Sequence, residues 1–190
     1  MHDDLILPPG FELRRSWLVP DEANALIAEI EPNTPWEQLE AVIYGRRCSI
    51  PRLTCWFGTG EYHYSGTVNT PHPWTPTLDD LRQRLEAATG ARYNSCLANL
   101  YRSGNDAVGW HSDSEDGIGP TPTIASLSLG ATRDFRIQRR ADGETWTVPL
   151  HSGDLIVMSG PSQGDYMHSV PRRANAGTRV NLTYRWFGKR

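Results

Sequence analysis

The chain has 190 residues, 38% of them hydrophobic, and a formal net charge of −3. That length suits one domain with a substantial core, and the mild acidity excludes a uniformly basic nucleic-acid coat. No run of about 18 apolar residues occurs, so no membrane-spanning helix is expected.

The first elements are modest. Residues 1–19 predict an irregular lead-in with a short strand near 11–13. It opens on Met1-His2-Asp3-Asp4, which has neither the basic nor the apolar region of a signal peptide. Pro20-Asp21-Glu22 opens a helix to about residue 30, its acids against the positive end of the dipole and Pro32 closing it. An extended region begins at Pro35, and Ala41 to Arg47 reads as an apolar run into a hairpin tip at Tyr44-Gly45-Arg46. Residues 49–57 predict the strand leading out, with Gly58-Thr59-Gly60 as a loop. The second helix has Thr75 as N-cap, Pro76 at its first position, Leu78, Leu81 and Leu85 on one face, and Gly90 as its stop.

From Tyr93 onward the pattern is β. Strands are predicted at 94–101, 123–129, 134–138, 145–150, 154–158 and 178–187, separated by turns such as Ala141-Asp142-Gly143 and Ser152-Gly153. Helices followed by short antiparallel strands, in a chain with Gly 17 and Pro 14, predict an α+β fold. Its centre is a jelly-roll core with the helices packed on one sheet. Cys48, Cys55 and Cys96 are odd in number and have no C-x-x-C spacing. They read as buried, reduced thiols of a cytoplasmic protein, not as a zinc site or a disulfide framework. Positive charge gathers at Arg14-Arg15, Arg46-Arg47, Arg136 with Arg139-Arg140, and Arg172-Arg173. Each cluster is either a solvated surface pair or part of a face that holds phosphates.

The chemistry concentrates at Trp110-His111-Ser112-Asp113. On a strand His111 and Asp113 point the same way. Together they supply two of the three groups of a 2-His-1-carboxylate triad, which holds Fe(II) by one face and leaves the other open. The third ligand is His151 or His168. His151 precedes the turn at Ser152-Gly153 and suits a surface position, so chain geometry favours His168. Arg179 and Arg185 are six apart in Arg179-Val180-Asn181-Leu182-Thr183-Tyr184-Arg185, and the even spacing places both on one face of a strand. Two inward arginines need either a dicarboxylate or structural salt bridges, and taken alone the salt bridges are the plainer explanation.

His111-x-Asp113, then His168, then Arg179-x-Asn181-x-Thr183-x-Arg185 resembles the AlkB family of Fe(II)/2-oxoglutarate dioxygenases, and Asn99-Leu100-Tyr101 resembles that family's N-x-Y. The likeness covers residues 35–187. It implies a double-stranded β-helix core with His111, Asp113 and His168 as iron ligands. Asn99, Tyr101, Arg179, Asn181, Thr183 and Arg185 would then lie around 2-oxoglutarate, with O2 as second cosubstrate. It also implies a base held by Arg52, Tyr62, Tyr64, Trp110 and Glu115, and a finger at Tyr44-Gly45-Arg46 that fills the gap left by an extruded base. Ser114 stands where the duplex-acting branch has an acid, which bears on any clamp from position 114 to Arg52. On this reading residues 1–92 carry the helices and a nucleotide-recognition hairpin or lid, and residues 93–190 the catalytic core. The expected activity is oxidative demethylation of N-alkylated bases such as 1-methyladenine and 3-methylcytosine in DNA, by a monomer away from membranes. RNA, a protein or small-molecule substrate, or a non-catalytic jelly-roll binding module are the alternatives.

Overall fold

The computed structural model describes residues 6–43, 46–59, 62–64, 67–69, 71–114 and 117–188. In chain order it contains β1 (Phe11–Arg14), α1 (Pro20–Asn33), β2 (Glu40–Ile43), β3 (Arg46–Ser49) and β4 (Leu53–Gly58). β5 (Tyr62–Tyr64), β6 (Thr67–Asn69), α2 (Pro76–Thr89), β7 (Ser95–Tyr101) and β8 (Val108–His111) follow. The last strands are β9 (Ile124–Gly130), β10 (Arg133–Arg139), β11 (Thr145–Leu150), β12 (Leu155–Met158), β13 (Tyr166–Val170) and β14 (Arg179–Arg185).

Helix α2 forms as its punctuation dictates. The Thr75 hydroxyl accepts from the Leu78 N–H at 3.2 Å, Pro76 occupies the first turn, and Gly90 ends the helix at φ 71°. Leu78, Leu81 and Leu85 are buried on one face. Helix α1 runs past Pro32 to Asn33. Its last turn is held by the Thr34 N–H on the Ile30 carbonyl (3.2 Å) and the Asn33 amide on the Glu29 carbonyl (2.7 Å). A proline so near the end removes one donor without breaking the turn.

The strands form two facing sheets, one of six strands in the order β1-β12-β9-β14-β7-β4 and one of four in the order β11-β10-β13-β8, with β2–β3 and β5–β6 as hairpins. All pairings within them are antiparallel. Side-chain alternation divides the six-stranded sheet sharply. Ala98, Leu100, Leu127, Leu129, Val180, Leu182 and Tyr184 form one core with Ala23, Ile30, Leu78, Leu81 and Leu85 of the helices. The opposite face is apolar where Phe11, Ile124, Ile156 and Met158 meet Phe135, Ile137, Val148 and Tyr166 of the smaller sheet. Elsewhere on that inner face the buried residues are polar: Asn99, Ser126, Ser128, Arg179, Asn181, Thr183 and Arg185. The jelly-roll expectation is met, with both helices on one sheet.

Several local expectations change. The strand expected at 49–57 is two strands, because Pro51 has no N–H to offer a ladder and the chain bends there. β13 is a strand where the pattern predicts none, and the strand expected through His111 and Asp113 is β8, which ends at His111. Cys48 is exposed, while Cys55 and Cys96 are buried as expected. β1 and β4 are the two edges of the larger sheet, so residues before 93 are built into the sheet that carries Asn99, Arg179 and Arg185.

Candidate metal centre and cosubstrate pocket

The two histidines are brought together by one strand pair. β8 lies against β13 with His111 directly opposite His168, and their rings sit 4.2 Å apart between centroids. Asp113 lies two residues beyond the end of β8, not on a strand. Its carboxylate nevertheless reaches the pair, with Oδ1 at 3.8 Å from His111 Nε2 and Oδ2 at 4.0 Å from His168 Nε2. One ligand atom from each of the three lies within 4.8 Å of the others, the only such cluster of three or more His, Cys, Asp or Glu among the described residues. His151 is elsewhere, exposed and hydrogen-bonded to Thr132 at 3.0 Å.

Each ligand is prepared by a neighbour. The His111 Nδ1–H donates to the Gly109 carbonyl at 2.9 Å, which leaves Nε2 with a lone pair facing Asp113. Burial opposes the charge on Asp113, but the combined pull of Arg185, His168 and His111 outweighs it and holds the carboxyl below its ordinary range. Burial pushes His168 down to about 3, so its imidazole is neutral and available as a ligand. Phe135 stacks on the His168 ring at 5.2 Å. Two imidazoles and one carboxylate, closed behind by protein, fit a divalent first-row metal with open positions.

The arginines divide the work. Arg185 Nη2 donates to Asp113 Oδ1 at 2.7 Å, so this guanidinium stands behind the metal ligand. Arg179 is 1% exposed, and Nη2 bonds the Ser128 hydroxyl at 2.9 Å while Nε and Nη1 meet no acceptor. No carboxylate is ion-paired with it among the described residues. A buried guanidinium with two nitrogens lacking an acceptor fits one carboxylate of a dicarboxylic acid. Tyr101 presents its ring to that guanidinium at 5.1 Å. Asn181 bonds the Ser126 hydroxyl (2.8 Å) and the Leu127 carbonyl (3.0 Å), and the Thr183 hydroxyl donates to its Oδ1. Asn99 Oδ1 accepts from Arg52 Nε at 2.7 Å, so Arg52 closes on Asn99 and not on Ser114.

Of the residues expected to hold a base, Trp110 is 39% exposed beside the metal cluster, with Arg136 over its ring at 5.4 Å. Tyr44, Gly45 and Glu115 lie outside the described residues, as do the side chains of Arg46, Tyr62 and Tyr64. The strands on either side of the expected tip, β2 and β3, pair antiparallel from Ile43↔Arg46 to Glu40↔Ser49, with Arg46 the first residue of β3.

Four contributors escaped the sequence reading. Ser126 and Ser128 alternate within an apolar strand, a period-two signal that could have placed them on the inner face. Gln163 accepts from the Asp113 N–H at 2.8 Å. Arg133, fully buried, donates to the carbonyls of Asp106 and Pro171 (2.7 and 2.6 Å) and stacks on Tyr101 at 5.3 Å. In sequence it reads only as a charged residue at a strand start.

Comparisons with known proteins agree with this geometry. A family model described as the 2OG-Fe(II) oxygenase superfamily matches residues 10–185. The human alpha-ketoglutarate-dependent dioxygenase alkB homolog 3 is 39% identical over 175 residues, 86% of this chain and 61% of that protein. Thus the chain spans about three fifths of that relative's length. The mouse DNA oxidative demethylase ALKBH2 is 34% identical over 179 residues, 86% of this chain and 74% of that protein. The solved structure of OsALKBH1 shares the fold at a TM-score of 0.67 and 19% identity, covering 95% of this chain and 100% of that one. The superfamily match begins beside β1 and closes on Arg185, and a relative at one-third identity is covered over most of its own length. The chain belongs to the 2OG-Fe(II) oxygenase superfamily, in the AlkB family.

Proposed function

We propose that this chain removes N-methyl groups oxidatively from alkylated bases in DNA, as a direct-reversal repair activity. The observation that carries the reading is the pairing of the His111–Asp113–His168 cluster with a buried Arg179 whose Nε and Nη1 have no acceptor. A metal cluster alone suits many enzymes. A metal cluster facing an unsatisfied guanidinium on the next sheet suits one that also takes a dicarboxylate. DNA as the substrate is supported by the relatives named as DNA oxidative demethylases.

Iron(II) held by His111, Asp113 and His168 would supply, with 2-oxoglutarate and O2, the oxidation that turns an N-methyl group into formaldehyde. The chain's own residues do the positioning. Arg179 receives the far carboxylate of 2-oxoglutarate through two charge-assisted hydrogen bonds, with Ser128 fixing the plane of its guanidinium. Asn99 and Tyr101 line the same inner face, Asn181 and Thr183 order it through their hydrogen bonds, and Arg185 keeps Asp113 ionised. Trp110 and Arg52, with Tyr62, Tyr64 and Glu115, would receive an extruded base, and Tyr44-Gly45-Arg46 would be the finger that takes its place. Methylation on the pairing edge weakens the base pair, so a damaged base is cheaper to extrude than a normal one. Residues 1–92 would carry the helices and the recognition hairpin or lid, and residues 93–190 the catalytic core together with Trp110 and Glu115. A cytoplasmic location, which the free thiols suit, and a monomeric state belong to the same proposal, and no described helix is long and apolar enough to cross a membrane.

The test is mass spectrometry of a DNA oligonucleotide carrying one 1-methyladenine, incubated with the protein, Fe(II), ascorbate and O2, with and without 2-oxoglutarate. Exchange of one methyl group for hydrogen that requires 2-oxoglutarate is the expected result. Succinate formation with untouched DNA would reject the substrate and keep the oxygenase.

A further inference from the structure

The three metal ligands are not held by equivalent means. His111 and His168 are locked to each other by the β8–β13 ladder. Asp113 has no ladder, since β8 has ended and residues 112–114 adopt no regular structure. On its far side it borders a cavity of about 600 Å³, lined by Ile118, Gln163 and Trp186 among others. Among the described residues its backbone N–H has one partner, Gln163 Oε1 at 2.8 Å, while the Ser112 hydroxyl beside it accepts from Arg140 at 3.0 Å. Asp113 and Gln163 are buried, at 2% and 5% exposure.

Gln163 is itself firmly placed. It follows the short turn Gly160–Ser162 between β12 and β13. That turn is tied down by the Ser159 N–H on the Gly10 carbonyl and the Asp165 N–H on the Pro161 carbonyl, each at 2.8 Å. Gln163 Nε2 donates to the Ser162 hydroxyl (3.2 Å) and approaches Met158 Sδ (3.5 Å), which orients the amide with its oxygen toward Asp113. The turn that launches the strand of His168 therefore also anchors the carboxylate ligand.

We infer that Gln163 is a positioning residue for Asp113, holding Oδ1 on Arg185 beside His111 and Oδ2 toward His168; this rests on the oxygenase reading of the site. Arg185 takes Oδ1 from one side. A guanidinium prefers both oxygens of a carboxylate at once. Without the Gln163 anchor, the Asp113 segment is free to turn its second oxygen onto Arg185 and withdraw it from the metal. The loss falls on metal affinity, whereas Arg179, at the other end of β14 from Arg185, keeps its own partner Ser128, and the cosubstrate contact there is untouched.

The test compares Gln163→Met, which keeps length and loses the acceptor, with Gln163→Glu, which keeps an acceptor oxygen at the same reach. Mn(II) affinity is measured by calorimetry, the KM for 2-oxoglutarate at saturating Fe(II) by succinate formation, and unfolding of the metal-free proteins by heat. Gln163→Met should weaken Mn(II) binding by about tenfold or more. Its 2-oxoglutarate KM should stay at the wild-type value and its unfolding temperature should shift by less than about 3 °C. Gln163→Glu should recover most of the affinity. Wild-type Mn(II) affinity in the Met variant would overturn the inference, and so would equal loss in both variants. A wild-type chain that takes up no Mn(II) would instead overturn the metal centre, and this inference with it. Should the Met variant fail to fold, amide exchange in the metal-free wild type decides. The Asp113 N–H should exchange far more slowly than those of Ser112 and Ser114, and equal rates would discard the anchor.

Discussion

At the scale of single residues, the site is marked by groups whose hydrogen bonding is incomplete without a ligand. Arg179 is the sharpest case. A buried cation with two N–H groups lacking acceptors costs stability in the protein that holds it, and burial lowers its hold on its proton. Arg179→Met removes that cost together with the binding group. Metal-free protein carrying this substitution should therefore be as stable as wild type or more stable in urea unfolding. Its KM for 2-oxoglutarate should rise about 10–100-fold, the worth of a lost charge-assisted hydrogen bond or two. Arg179→Lys, which keeps the charge and loses the planar fork, should fall between the two. A KM unmoved by Arg179→Met would separate this arginine from the cosubstrate altogether.

At the scale of elements, β14 is where sequence and site coincide. Alternation of Arg179, Asn181, Thr183 and Arg185 with Val180, Leu182 and Tyr184 was legible because the strand has a polar inner face and an apolar outer one. Helix α2 was legible for the same local reason, with its cap, its leucine face and its glycine stop all inside one short window. β13 was not. Tyr166–Val170 buries His168 and Ser169 beside Val170, so no alternation shows, and its polar members are inside only because a partner strand and a metal cluster lie there. β8 hides behind Gly109, and the partners of β1 and β4 are distant in sequence, which no window can reveal. One glycine joins these levels. Gly130 ends β9 opposite Arg179, at φ 86°, where a Cβ would lie 2.6 Å from the Thr178 carbonyl and 2.5 Å from Ile27 Cδ1. The isoleucine tip can move; the carbonyl of the strand start cannot without carrying Arg179 with it. Gly130→Ala should cost at least about 2 kcal/mol in urea unfolding, from the left-handed backbone and the clash together. It should also raise the 2-oxoglutarate KM. A variant of unchanged stability would mean that β14 yields more easily than its packing suggests.

At the scale of the whole molecule, the question is whether recognition and catalysis are separable pieces. Motif positions suggest that they are, since every metal and cosubstrate residue lies after residue 93. The sheet order says otherwise. Cutting there removes β1 and β4 from the larger sheet, leaving β12 and β7 as bare edges. It also removes both helices from the outer face, where Leu100, Leu127, Leu129, Leu155 and Leu182 are packed in their core. Re-exposing a buried leucine costs about 1.5–3 kcal/mol. For these residues together that is comparable to the roughly 5–15 kcal/mol by which an ordinary domain is stable. The Asp154 carboxylate adds to the loss, because its N-terminal partners, the Arg15 guanidinium (2.5 Å) and the Ser16 N–H (2.9 Å), leave with the same segment. A chain of residues 93–190 alone should therefore lack a cooperative urea transition and a dispersed amide spectrum, and should not take up Mn(II), although it carries every ligand. The full chain under the same conditions should do all three. If the short chain folded and bound metal, the helices and edge strands would be an addition to a self-sufficient core, and the recognition segment could be exchanged between relatives without rebuilding the site. If it does not, the N-terminal segment shares one sheet with the cosubstrate-side residues Arg179 and Arg185, and a change to one is a change to the packing of the other.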